Sequence, residues 1–269
     1  MKFRILLIIV LSLFSLYAAD QKIEIGVDEK LGNKIPLNLQ FNDENGNKVV
    51  LKDLFKTPTV LSFVYYECPG ICTPLMTALA QVVAESDLKP GVQYNIVTVS
   101  MNEMDTPKLA ADKKKNYLKM IGKNFPADSW RFLTGDSATI KTLTDASGFY
   151  FKRDGKEFIH SGTIIFLTKD GVITRYLFPS YTDRAGYSVL PFDFKMAVIE
   201  TSEGKVVPTV AKMLQYCFSY DPEGKTYVLN LTRVFGAGIL LAALVFVVVL
   251  VRKPKKNVVT RKEDDTNVK

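Results

Sequence analysis

The chain has 269 residues, 47% of them hydrophobic and 23% charged, with three cysteines, one histidine and a formal net charge of +7. Lys2 and Arg4 supply two of those charges, and residues 252–269 add seven basic and three acidic side chains, so the stretch between is left near +1. A region so balanced carries no basic stripe, which excludes nucleic acid as a partner.

Lys2 and Arg4 precede an uncharged apolar run from Ile5 to about Ala19, the layout of a secretory signal over residues 1–19. Ala18-Ala19 offers small residues for cleavage, but Tyr17 stands two before Ala19, so a cleaved signal and an uncleaved anchor both stay open. Residues 20–203 are long enough for one well-buried exported domain. Leu37–Phe41 and Lys48–Leu51 alternate around Asn45-Gly46, which predicts an N-terminal β-hairpin. Thr59–Tyr66 is rich in β-branched and aromatic residues and reads as a buried strand running into Cys68-Pro69-Gly70-Ile71-Cys72. A helix is expected from about Thr73 to Glu85, with Leu75, Met76, Leu79, Val82 and Val83 on its apolar face. Tyr94–Met101 reads as a second strand, and Thr106-Pro107 as the N-cap and first position of a helix to about Ile121. Trp130–Leu133, a helix over Ser137–Ala146, a strand over Phe149–Arg153, a hairpin of Thr163–Leu167 with Val172–Phe178, and a helix over Phe192–Thr201 follow. This order predicts an α/β fold, a thioredoxin-like sandwich with an N-terminal β-hairpin.

Residues 204–233 read as a juxtamembrane connector. Residues 234–251 contain no charge, and these 18 residues as a helix reach roughly 27 Å, which predicts a C-terminal transmembrane helix. Arg252, Lys253, Lys255 and Lys256 follow at once, so residues 252–269 are expected to be a cytoplasmic basic tail, with the main domain on the outer face.

Compartment and spacing bear on the cysteines. A Cys at the start of a helix lies at the positive end of the dipole, where its thiolate is stabilised. Cys68 and Cys72, four apart, can chelate one ion or close a disulfide. A structural disulfide closing so short a loop would contribute little entropy, and the motif sits at a strand-to-helix junction where α/β folds place active sites. A lone histidine usually means little. His160, however, precedes the strand Thr163–Leu167 and is expected to face the cysteine loop. Two thiolates and one imidazole suit copper as Cu(I) or Cu(II), whereas structural zinc would want a fourth ligand. Met76 and Met101 are read as core residues, and Glu67 as solvated. Cys217 is read as a packed free thiol, and the stripe Gly236, Gly238, Ala242 and Ala243 carries no firm reading.

The segment Tyr66-Glu67-Cys68-Pro69-Gly70-Ile71-Cys72-Thr73-Pro74-Leu75, joined to Phe158-Ile159-His160-Ser161-Gly162, resembles the Sco/SenC copper chaperones of cytochrome c oxidase assembly. Val99-Ser100-Met101-Asn102, Asp105-Thr106-Pro107 and Phe132-Leu133-Thr134-Gly135 add to the resemblance, which covers most of residues 35–250. Tyr216-Cys217-Phe218 and Tyr220-Asp221-Pro222 before a span resemble the bacterial branch anchored at its C-terminus. The resemblance implies copper ligands at Cys68, Cys72 and His160, and the binuclear copper site of oxidase subunit II as client. It also implies another periplasmic copper carrier as donor, and a place on the bacterial inner membrane with the domain periplasmic. Family members often carry Asp where this chain has Asn102.

Two functions use the same residues. A membrane-tethered copper chaperone holds the ion at an exposed site and needs no bond-making turnover. A thiol–disulfide reductase would keep the partner's cysteines reduced through Cys68 and Cys72. The spacing is not Cys-x-x-Cys and no proline precedes Thr163, which leans away from general redox work. Peroxide reduction is disfavoured, because Tyr65-Tyr66-Glu67 supplies no hydroxyl of the Thr or Ser kind upstream of the thiol.

Overall fold

The structure, a computed structural model, describes residues 25–122, 124–182, 186–209, 218–221 and 226–229, with residues 239, 242, 243, 245 and 246 helical. The signal expected at 1–19, Cys217, most of the span expected at 234–251 and the tail 252–269 lie outside the described residues. Among the described residues no helix is long and apolar enough to cross a membrane. The chain separates into two units, Met1–Thr209 and Val210–Lys269.

In the first unit, β1 (Gly26–Val27) precedes the predicted hairpin of β2 (Gln40–Asn42) and β3 (Lys48–Val50). Asp43 Oδ1 accepts the N–H groups of Asn45 and Asn47 at 2.9 and 2.8 Å, and Gly46 adopts a φ of +83° that only glycine takes readily. The hairpin ends earlier than the alternation suggests, because Leu51 starts a helical turn, α1 (Leu51–Leu54), and is fully buried. Buried Asp43 and Glu44 tie this corner down: Arg131 lies 2.5 Å from Asp43 and 3.0 Å from Glu44, and Lys114 lies 2.6 Å from Glu44. Such a network adds little over an apolar core but is costly to break, which holds the hairpin in one place.

Two parallel crossovers form the core: β4 (Thr59–Val64), α2 (Cys72–Glu85), β5 (Asn95–Ser100), α3 (Pro107–Ile121) and β6 (Trp130–Leu133). Every residue of β4 is buried, as a strand covered on both faces must be. Thr106 caps α3 as predicted, its hydroxyl accepting the Leu109 N–H at 3.3 Å, with Pro107 in the first turn. Helix α4 (Ser137–Ala146) is capped by Asp136, which accepts the Thr139 N–H at 2.9 Å.

The stretch Phe149–Arg153 is not one strand of the central sheet. Phe149–Tyr150 forms β7, paired with β1, and Lys152–Asp154 forms β8, which turns at Gly155 (φ +61°) into β9 (Glu157–Ile159). Gly155-Lys156 is the two-residue turn of this hairpin, with Asp154 opposite Glu157 as the last pair before it. Strands β10 (Ile164–Leu167) and β11 (Ile173–Leu177) complete a five-stranded sheet of order β11-β10-β4-β5-β6, in which β10 runs antiparallel to both neighbours. A further hairpin without a sequence expectation, β12 (Ser180–Thr182) and β13 (Gly186–Ser188), precedes α5 (Pro191–Ser202). In the second unit, β14 (Phe218–Asp221) pairs antiparallel with β15 (Thr226–Leu229).

Helix α2 packs on α3 and α5, α3 on β6, and α5 on β10 and β11, so the mixed α/β sandwich predicted from the element order is present. Gly148 closes the junction between β1 and β7. At φ +62° it takes the Asp28 N–H on its carbonyl at 2.8 Å, and a Cβ there would stand 1.8 Å from the Asp28 oxygen. Gly148→Ala should therefore destabilise the domain by about 3 kcal/mol or more. Urea unfolding followed by the single, fully buried Trp130 checks this, with a midpoint lowered by roughly 1–2 M; an unchanged midpoint contradicts it.

Candidate metal centre

Topology brings the two halves of the site together. Residue Ile164 of β10 lies opposite Ser62 of β4, two residues before β4 ends, so the antiparallel chain preceding Ile164 runs past Val64 toward the cysteine loop. The chain between β9 and β10, residues 160–163, carries His160. The fit is close: a Cβ on Gly162 would stand 3.3 Å from Ile71 Cδ1.

On the other side, Tyr65 and Tyr66 leave the sheet instead of extending β4. The Tyr66 N–H donates to Asp105 Oδ2 at 2.7 Å rather than to a strand, and the Cys68 N–H turns back to the Tyr65 carbonyl at 3.2 Å. The carboxylate of Asp105 is itself buried and takes the Ser100 hydroxyl at 2.6 Å and the Asn102 side-chain amide at 3.0 Å. Ser100 ends β5, so the β5–α3 loop holds the start of the cysteine loop.

The ligand atoms of Cys68, Cys72 and His160 all lie within 4.8 Å of one another, the one such cluster of metal-ligating side chains among the described residues. Three donors around one ion, with metal–sulfur bonds of about 2.3 Å, sit roughly 4 Å apart, so the set needs little adjustment to close on a metal. Cys72 Sγ lies 3.2 Å from His160 Nε2. The imidazole Nδ1 is 3.0 Å from the Ser161 carbonyl, which can only accept, so Nδ1 carries a proton and Nε2 is the ring nitrogen turned to the cysteines. Tyr65 and Phe149 confine the ring, each with its centroid 6.1 Å from that of His160.

The two thiols differ. Cys68 Sγ accepts the N–H groups of Gly70 and Cys72, each at 3.4 Å, at the mouth of α2. Its thiol is held well below the usual range, chiefly by a hydrogen bond from the Cys72 thiol, with His160, the Cys72 amide and the Tyr65 hydroxyl acting in the same direction against burial. Cys72 is pushed up, because it keeps its proton to donate to Cys68 and because it is buried. Both cysteines were expected to be helix-start thiolates at an exposed site. The amide bonds of Gly70 and Cys72 go to Cys68, which precedes α2, whereas at Cys72 burial and the neighbouring Cys68 outweigh the amides. The cysteines are buried, at 8% and 3% exposure, while Glu67, Pro69 and Gly70 are open to solvent and His160 is half-buried. Met76 and Met101 are core residues as read, and Ser62 hydrogen-bonds the Met76 sulfur at 3.9 Å. Sequence reasoning missed Tyr65 and the role of Asp105. A buried tyrosine before a cysteine and a carboxylate before a helix cap have ordinary structural meanings, and only the fold brings them to the site.

A thioredoxin-like α/β domain with two cysteines and a histidine gathered at the carboxyl end of its central strands is the class that fold and site define. The chain belongs to the SCO1/SenC family, whose model matches residues 28–190. A SCO1 protein homolog of Bacillus subtilis (strain 168) is 27% identical over 172 residues, covering 60% of this chain and 81% of the relative. Among solved structures, one from Aquifex aeolicus VF5 is 24% identical, covers 65% of this chain and 96% of its own, and superposes with a TM-score of 0.56. A SCO1/SenC family lipoprotein from Bacillus anthracis str. Ames is 17% identical, with 65% and 99% covered and a TM-score of 0.50. Both structures share the fold.

The depressed thiol makes a prediction. An ordinary thiol loses alkylation rate about tenfold per pH unit below its pKa, whereas a thiol already ionised does not. Iodoacetamide should therefore label Cys68 before Cys72, with a Cys68 rate nearly flat between pH 8 and pH 5. A tenfold fall per unit at Cys68 would contradict the assignment.

Proposed function

We propose that this protein is a membrane-tethered copper chaperone. Cys68, Cys72 and His160 hold one copper ion, Cu(I) or Cu(II), and pass it by ligand exchange to the binuclear copper site of cytochrome c oxidase subunit II. The observation that carries the reading is the convergence of two sulfurs and an imidazole nitrogen within 4.8 Å. Soft thiolates with one imidazole suit copper, and a three-donor set is short of the four that structural zinc takes. Membership of the SCO1/SenC family supports copper handling in oxidase assembly.

The domain plan belongs to the same proposal: signal 1–19, exported domain 20–203, connector 204–233, transmembrane helix 234–251 and cytoplasmic tail 252–269. The apolar runs and the basic cluster after Val251 support it, and on this plan the site lies on the periplasmic face of a bacterial inner membrane, within reach of a periplasmic copper donor.

Burial of the cysteines suits this role. Binding at Cys72 must displace its proton, so loading is linked to pH, and the exposed residues Glu67, Pro69 and Gly70 leave one side open to an incoming ligand. A partner thiolate can enter there, bind the same ion and leave with it. The second reading, a thiol–disulfide reductase, draws on the opposed cysteines: Cys68 as attacking thiolate and Cys72 as resolving thiol.

Copper titration against a chelator competitor tests the proposal. Cys68→Ala and Cys72→Ala should abolish tight binding, and His160→Ala should weaken Cu(II) more than Cu(I). Copper affinity unchanged in either cysteine variant sinks the site assignment. A protein that holds no copper but cycles a Cys68–Cys72 disulfide with the partner's thiols would be the reductase instead.

A further inference from the structure

His160 is delivered by a weak element. Strands β8 and β9 have three residues each, pair only with one another, and β8 is exposed throughout. An isolated two-stranded hairpin is marginal in water, so something outside it must hold it in place. Arg153 of β8 supplies a contact. Its Nη2 lies 2.7 and 2.6 Å from the two carboxylate oxygens of Glu103 and 3.3 Å from Asn102 Oδ1. The guanidinium also covers the ring of Phe158 in β9, with 4.4 Å from Cζ to the ring centroid. Phe158 in turn packs on Tyr65 at 5.1 Å between centroids.

The partners of Arg153 sit on the β5–α3 loop, the same loop whose Asp105 holds Tyr66 at the start of the cysteine arm. Asn102 joins the two. Its Nδ2 donates to Asp105 Oδ1 at 3.0 Å, while its Oδ1 accepts from Arg153 and from the Met104 N–H at 3.2 Å. A carboxylate cannot donate and a guanidinium cannot accept, so the amide has one workable orientation. Only an amide serves both neighbours: Asp at 102 would turn one oxygen toward the Asp105 carboxylate.

We propose that Asn102 and Arg153 act as positioning residues that couple the cysteine arm to the histidine arm and hold His160 in its metal-binding place. The contacts run Tyr66 N–H, Asp105, Asn102, Arg153, then the β8–β9 hairpin and His160. The relay rests on the copper reading only for its metal readout; the placement of the imidazole is a property of the protein itself. An exposed ion pair alone is worth little, and the Arg153 and Glu103 side chains are 40% and 35% exposed. Arg153 differs from a lone pair in touching the amide and the aromatic ring as well.

The chain has a single histidine, so its imidazole signals need no assignment. Full-length protein labelled with 15N,13C-histidine and solubilised in detergent should give one sharp set of imidazole cross-peaks. Arg153→Met, which keeps an apolar stem over Phe158, and Asn102→Asp should each broaden or split that set. The same variants should raise the Cu(II) dissociation constant about three- to tenfold, with Cu(I) changed by less than about twofold, because imidazole matters more to Cu(II). Imidazole peaks identical to wild type in both variants overturn the proposal. If the wild-type protein holds no copper, the copper reading fails, and the imidazole peaks still decide the relay.

Discussion

The contact between Cys72 Sγ and His160 Nε2, 3.2 Å long, joins segments 88 residues apart, and the organisation of the domain follows from what it takes to make it. The parallel strands β4 and β5 end side by side, Val64 opposite Ser100, so the cysteine loop and the β5–α3 loop leave the sheet at the same end. Strand β10 must run antiparallel beside β4 for its preceding residues to arrive at the same end. Had it run parallel, residues 160–163 would lie at the far edge of the sheet and the cluster would not exist. The buried core of β4, β5, β6 and β10 thus acts as a rigid frame for a site built from two loops and the first residue of α2.

Inside that frame the chemistry is uneven. Cys68 collects the amides at the mouth of α2 and the Tyr65 hydroxyl, while Cys72 turns inward and shares its proton with Cys68. One proton between two sulfurs is a poised arrangement: a soft cation can take its place, and an oxidant with a disulfide can use the same thiolate as nucleophile. The imidazole separates the two uses. His160 turns Nε2 to the sulfurs while the Ser161 carbonyl holds its Nδ1–H, an orientation that a metal needs and that thiol exchange does not require.

Much of this was legible in the chain. The run Thr59–Val64, the capped helix at Thr106-Pro107 and the Asn45-Gly46 turn carry local signals strong enough to survive folding, so the element order and the class of fold followed from them. Cys68, Cys72 and His160 could be named because the residue types are few and the strand after His160 implied which end of the sheet it reaches. The errors lie where tertiary contacts override local pattern. Tyr65 and Tyr66 look like strand residues, yet Asp105, 39 positions away from Tyr66, takes the amide that would have continued the ladder. Phe149–Arg153 reads as one strand, yet Phe149–Tyr150 pairs with β1 while Lys152 and Arg153 turn back through Gly155-Lys156 into a separate hairpin. Burial of the cysteines could not be read from their spacing, because it depends on what the fold packs around the site, where Tyr65 and Phe149 flank His160 and Phe158 packs on Tyr65. The meaning of Asn102 emerged only from its two neighbours of opposite charge.

X-ray absorption of the full-length protein loaded with one equivalent of copper tests the central claim most directly, because it counts the donors around the ion. The account predicts one copper per chain with two sulfur scatterers and one imidazole nitrogen, the sulfur count falling in Cys72→Ala and the imidazole signature disappearing in His160→Ala. A first shell of oxygen and nitrogen alone, or a two-sulfur shell that survives the loss of Cys72, would contradict it.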